Sequence, residues 1–182
     1  SDADVKDALP FEAHADYIYE LIQDSVFVAH NADFDLSFLQ AEFKRSGLPK
    51  WRGKKLDTVE LSKILFPTSL SFKLGDLAAD LKIPLDHAHR ADSDAIATAL
   101  LLKECWEELL TLPLITLEQL HKKSFRLKSN ISQLIFEALQ VKRTTVKEEQ
   151  DTVYYRKLAL KKRVDNNNER KQIVYPRSHD AK

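Results

Sequence analysis

The sequence predicts an α/β protein, and three observations carry that prediction. Val26 to Ala29 is an apolar run too short for a helix, and a helical pattern follows it almost at once. Lys54 to Leu56 is a second short strand candidate, again followed directly by a helix. Strands that alternate with helices imply a parallel or mixed sheet covered by helices. Two strands do not make a viable sheet alone, so the pattern also implies that part of the sheet is absent from these 182 residues.

The first elements are set by local spacing. Ser1 to Leu9 is polar and acidic. Phe11, Ala15, Ile18 and Ile22 keep a helical spacing, which predicts a surface helix over Pro10–Asp24 with Pro10 near its start. His14 falls off that stripe and reads as solvated. After the first strand, Phe34 and Phe38 share one side of a helix, with Leu36, Leu39 and Phe43 beside them, and Gly47 and Pro49 close it. Asp33 and Asp35 stand at its opening, where unpaired N–H groups favour carboxylates. Capping accounts for Asp33; it accounts less well for Asp35, already inside the first turn.

Asp57 and Thr58 open the next helix, with Thr58 as its expected cap, and Pro67 stops it. A further helix is expected over Ser71–Lys82, with Leu74, Leu77, Ala78 and Leu81 on one face. A polar turn then carries His87, His89 and Arg90. Ala95, Ala99, Leu102, Trp106 and Leu109 mark a long helix from about Asp92 to Leu110. Beyond Pro113, Thr116 and Gln119 have the spacing of a capping box. Ser129–Gln140 is another helix, with Ile131, Leu134, Ile135 and Ala138 inside. Thr152–Leu160 and Ile173–Tyr175 have strand composition, and Asn166–Asn168 reads as a turn or disordered tract.

Composition sets further bounds. Lys plus Arg equal Asp plus Glu at 28 each, so overall charge gives no hint of a nucleic-acid partner. The tail from Lys142 onward is locally basic, and a solvated linker is the simplest account of it. One cysteine, Cys105, rules out a disulfide framework and points to a reducing, cytoplasmic setting. No apolar run reaches membrane-spanning length, and the start has no secretory apolar region. The absence of any methionine, even at position 1, marks a fragment, a processed product or an expressed piece.

Three groups of residues have the makings of a chemical site. Asp35 lies just past the first strand and Asp57 at the end of the second. His89 and Asp94 flank the start of the long helix. In open α/β sheets ligands gather at the carboxyl ends of parallel strands. Carboxylates converging there repel one another unless a cation joins them. Hard oxygen donors select Mg²⁺ or Mn²⁺ over zinc. Two such ions about 3.5–4 Å apart clamp the attacking and leaving oxygens of an in-line displacement. A histidine that titrates near neutrality suits deprotonation of the attacking water. His87-x-His89 lacks the further ligands a zinc site needs. Singly, each of these residues has an ordinary structural explanation; the combination is what argues for function.

The run His30 to Leu39 resembles the second motif, His-Asn-Ala-x-Phe-Asp-x-x-Phe-Leu, of the DnaQ-like (DEDDh) 3′–5′ exonucleases. Asp57-Thr58 resembles the Asp-Thr of that family. His89-Arg-Ala-Asp-Ser-Asp94-Ala95 resembles its third motif, His-x-Ala-x-x-Asp-Ala. Leu112 to Leu120, with Leu127 to Ser129, is similar to the connector after the exonuclease domain of Gram-positive DinG-type helicases. The resemblance implies a ribonuclease H-like exonuclease fold lacking its N-terminal strands and followed by a helical connector. It implies a partial exonuclease domain over 1–111, a connector over 112–141, and a basic tail or the start of a following domain over 142–182.

It further implies hydrolysis of phosphodiesters at DNA 3′ ends, preferably single-stranded, with two Mg²⁺ or Mn²⁺ ions, in replication or repair. Asp35 and Asp94 would be metal ligands, His89 the general base and Asp57 a supporting acid. His30, Asn31 and Phe34 would meet the terminal nucleotide. The family's first motif, Asp-x-Glu, has no counterpart here, which implies that this chain alone is inactive and that Val26–Ala29 exposes a bare sheet edge. The chain resembles a piece of an exonuclease–helicase, with a helicase domain of the same full-length protein as partner. The alternative is an inactive nucleic-acid-binding or docking remnant of the same fold.

Overall fold

A computed structural model describes residues 8–85 and 90–145, and the backbone of Thr152–Tyr155 and Leu158–Lys161. The element order is a 3₁₀ turn (Phe11–Ala13), α1 (Ala15–Gln23), β1 (Val26–Ala29), α2 (Ala32–Arg45), β2 (Lys54–Asp57), α3 (Thr58–Leu65), α4 (Leu74–Asp80), α5 (Ala91–Thr111), α6 (Leu114–Ser124), α7 (Ile131–Thr145), β3 (Thr152–Tyr155) and β4 (Leu158–Lys161). This is a helix-rich α/β arrangement around a small parallel sheet.

β1 and β2 pair in parallel, with Val26 opposite Lys54 and Ala29 opposite Asp57. Each strand runs straight into a helix, so both chain reversals, and the residues on them, fall at the same end of the sheet. Among the described residues β1 has no second neighbour. β3 and β4 form a separate antiparallel hairpin, Thr152 opposite Lys161. The strand composition of Thr152–Leu160 is thus divided between two strands. Ile173–Tyr175 and Asn166–Asn168 lie outside the described residues.

One continuous apolar core runs from Leu56 of β2 through Leu61, Leu77, Leu101 and Leu109 to Leu117, Ile131, Ile135 and Leu139. The last four belong to the α6–α7 hairpin and are essentially inaccessible. Each fully buried aliphatic side chain contributes about 1.5–3 kcal/mol. The hairpin is therefore part of the packed body rather than a loose linker. Lys142 adds a tie, donating from Nζ to the carbonyl oxygens of Leu110 (3.1 Å) and Leu112.

Several local expectations need correction. The spacing places Ala95, Ala99, Leu102, Trp106 and Leu109 on the inner stripe of α5. Its buried face is instead Ala97, Thr98, Leu101, Cys105 and Leu109, and Ala95 and Ala99 are exposed. Alanine is too small to say which face of a helix is covered, so the longer side chains decide. Cys105 is a core residue as expected, and burial pushes its thiol up to about 12. Thr58 does not cap α3; Asp57 does, accepting the Val59 N–H at 2.8 Å. Thr116 lies inside α6, whose N-cap position is Pro113 without a side-chain cap. The helix expected over Ser71–Lys82 is shorter, Leu74–Asp80. The one expected over Ser129–Gln140 starts at Ile131 and runs to Thr145.

Candidate active site

The turn between β1 and α2 sets up the site. Asn31 takes the left-handed conformation, φ 75°. Outside glycine, asparagine is among the few residues that adopt it readily. The turn brings Asp35 around within one helical turn of the strand end. α2 has no cap of its own at this point. Its first N–H groups are received by Asp57 across the sheet: Asn31 N–H at 3.2 Å and Ala32 N–H at 3.1 Å. With Val59 N–H, the Asp57 carboxylate takes three backbone donors and joins the starts of α2 and α3.

The capping expected of Asp33 is not seen, and Asp35, which capping explained less well, does not cap α2 either. Asp33 pairs with the Lys55 ammonium, which holds its carboxyl below the usual carboxylate value. Asp35 is exposed and faces a different cleft.

His30 follows β1 directly and is half-buried. Its Nε2 lies 2.9 Å from the Phe72 carbonyl oxygen and its Nδ1 2.9 Å from Thr58 Oγ1. A carbonyl only accepts, so Nε2 carries a proton. Burial lowers the pKa below 6.5, opposed by the Phe72 carbonyl and by the Asp57 charge. In the neutral ring Nδ1 therefore accepts from the Thr58 hydroxyl. Both ring nitrogens are used within the protein. His30 ties β1 to α3 and to the loop before α4, a task the sequence did not disclose because Phe72 contributes only its backbone.

The cleft has a volume of about 780 Å³. Its walls are β1, the exposed face of α5 and the first turn of α2. Asp35 and Asp94 both line it, with His30 and Phe34. The two acids lie 59 residues apart in sequence and line one cleft because α5 packs across β1. Phe34 is well exposed and meets Phe38 edge-on, ring centres 5.0 Å apart. The small residues Ala95 and Ala99 give α5 a low wall there.

Asn31 and Asp57 do not line this cleft. They lie in a neighbouring groove with Asp33, Lys55, Glu60, Lys63 and Lys128. Asp57 thus stands behind the cleft and supports it through the backbone. His87 and His89 fall outside the described residues. Asp35 and Asp94 offer hard oxygen donors of the kind divalent cations take. Among the described residues no three acidic, histidine or cysteine side chains are grouped to hold a metal. Asp35 and Asp94 are the two described carboxylates that line the cleft. Among the described residues no helix is long and apolar enough to cross a membrane.

Two carboxylates thus line a cleft beside a pair of parallel strands, next to a histidine–asparagine turn. The chain belongs to the exonuclease family: the family profile described as Exonuclease (RNase_T) matches residues 1–102. Among individual proteins it is similar to the 3′-5′ exonuclease DinG of Staphylococcus haemolyticus, 44% identical over 130 residues, which cover 71% of this chain and 14% of that protein. The protein of the same name from Staphylococcus epidermidis is 40% identical over 157 residues, covering 84% and 17%. That from Staphylococcus aureus strain MRSA252 is 38% identical over 176 residues, covering 93% and 20%. The chain thus spans a fifth or less of the length of these relatives. No solved structure matches it.

Proposed function

We propose that this chain is the larger part of a metal-dependent 3′–5′ exonuclease unit acting on DNA ends within a longer exonuclease–helicase. The observation that carries the proposal is the convergence of Asp35 and Asp94 on one cleft beside β1. Residues 1–111 would form the exonuclease portion, 112–141 the connector, and 142–182 the segment leading into a helicase domain.

Asp35 and Asp94 would hold divalent cations, Mg²⁺ or Mn²⁺. Such ions supply charge neutralisation at the scissile phosphate and activation of water. Phe34 presents a ring face to the terminal nucleobase, where stacking is tolerant of sequence. His89, two residues before α5 in the sequence, would take the proton of the attacking water. His30, Asn31 and Asp57 hold the turn that carries Asp35, with Asn31 supplying the left-handed backbone. The described residues bring two carboxylates to the cleft, and the family's Asp-x-Glu motif has no counterpart here, so the isolated 182-residue chain is expected to be inactive.

The test is release of nucleotides from a 3′-labelled oligonucleotide with Mn²⁺, by the full-length polypeptide. Asp35→Ala and Asp94→Ala should each lower kcat by more than the roughly 10–100-fold typical of residues one shell out from a metal. Asp35 is exposed, so its substitution should change stability by no more than about 0.5 kcal/mol. Full activity in either variant would sink the site assignment. A full-length wild type that binds the oligonucleotide without hydrolysing it would favour the docking-remnant reading.

A further inference from the structure

We propose that Asn130, supported by Glu60, is a positioning residue for the cleft. Through it the α6–α7 hairpin holds β2, and so the first turn of α2, in place; this rests on the exonuclease reading above.

The outer edge of β2 is not bare. Asn130 N–H donates to the Lys55 carbonyl oxygen at 2.7 Å, and Lys55 N–H donates to Asn130 Oδ1 at 2.9 Å. One asparagine thus stands in for a strand residue, its side-chain oxygen taking the part of a backbone carbonyl. Its own carbonyl oxygen remains free to accept the Gln133 N–H at 3.1 Å as α7 begins. Beside it Glu60, in the first turn of α3, receives Lys128 N–H at 3.0 Å, Ser129 N–H at 3.1 Å and the Ser129 hydroxyl at 2.7 Å. Ser129 is buried in this clasp. Five hydrogen bonds therefore fasten three consecutive residues of the hairpin to β2 and α3.

Lys55 is the junction. Its backbone is held by Asn130 on one side and lies opposite Phe27 of β1 on the other. Its ammonium grips Asp33, two residues before Asp35. Two residues further along β2, Asp57 receives the Asn31 and Ala32 N–H groups. Both routes from Asn130 to the first turn of α2 consist of hydrogen bonds or a few residues of strand. A small displacement of a reacting group by a distant change costs up to about 100-fold in rate.

The experiment compares Asn130→Ala, Asn130→Asp and Leu117→Ala in the full-length polypeptide. Leu117→Ala opens a core cavity in the same hairpin without touching the clasp, so it shows what plain destabilisation does. The first readout, amide hydrogen exchange at Asn31 and Ala32, needs no activity. The second is kcat, KM and the half-saturating Mn²⁺ concentration. Asn130→Ala should speed exchange at Asn31 and Ala32 by about 10-fold and raise the half-saturating Mn²⁺ concentration by about 10-fold, with KM for the oligonucleotide unchanged. Asn130→Asp, which keeps the acceptor oxygen, should restore both to within about twofold of wild type. Equal acceleration in Leu117→Ala, or unchanged exchange in Asn130→Ala, would overturn the proposal. Altered exchange in a wild-type background that hydrolyses no DNA would support the clasp and overturn the exonuclease reading instead.

Discussion

Replacing Asp57 by alanine removes one acceptor from three backbone donors, and its cost is set by their surroundings. Val59 N–H is the usual N-cap bond of α3, and losing an aspartate cap costs about 1 kcal/mol. Ala32 is fully buried, so its N–H is left without water; an unsatisfied buried donor costs about 1–3 kcal/mol. Asn31 is exposed, and water replaces the carboxylate there at little cost. Together these give a loss of about 3 kcal/mol. For a domain of this size that is a fall in Tm of about 6–12 °C. Asp57→Asn should cost less, because the bonds of Asn31 and Val59 fall on one oxygen, Oδ1, which an amide retains. Its NH₂ would then oppose the Ala32 N–H, so the loss is partial rather than absent. Urea unfolding of both variants, with kcat on a 3′-labelled oligonucleotide, is the assay. If Asp57→Ala lost less than about 0.5 kcal/mol, the surface range, the carboxylate would not be clamping the two helices. The reasoning for the site's support would then fail.

The same geometry sets two further outcomes. The folded pKa of His30 lies below 6.5, so between the two values the unfolded chain binds more protons. Its contribution to stability is therefore full above about pH 6.5 and is lost as pH falls through that value toward the folded pKa. Urea midpoints between about pH 5 and 8 should show this slope, and His30→Gln should flatten it; an unchanged slope would mean that His30 is not the titrating group. Phe34 is largely exposed, so Phe34→Ala should leave Tm nearly unchanged while raising KM for single-stranded DNA by about 10-fold, the order of one lost base stack. A KM equal to wild type would remove Phe34 from the substrate path.

The carboxylates show how far a linear reading reaches. Asp35 and Asp94 stood out because their spacing from strand and helix starts, and the His30–Leu39 and His89–Ala95 runs, are local features of the chain. Both strands were legible for the same reason: four-residue apolar or mixed runs flanked by polar turns have few other ways to fold. The caps were misread for the opposite reason. Asp33 has the local position of a cap, yet the acceptor for the start of α2 comes from Asp57 on another strand. A cap from across a sheet has no spacing signature. Likewise Thr58 had the composition of a cap but is buried under His30.

What the sequence by itself determined is the alternation of strand and helix, the acids at their junctions and the family to which those junctions belong. These rest on interactions within a few residues, where periodicity and turn chemistry operate. Tertiary structure alone decided which face of α5 is buried, that the α6–α7 hairpin shares the core, and that Asn130 completes the outer edge of β2. It also decided that His30 spends both ring nitrogens inside the protein. Each of these depends on a partner distant in sequence, and the free energy of burying a side chain or satisfying an N–H is set by that partner, not by the neighbours along the chain.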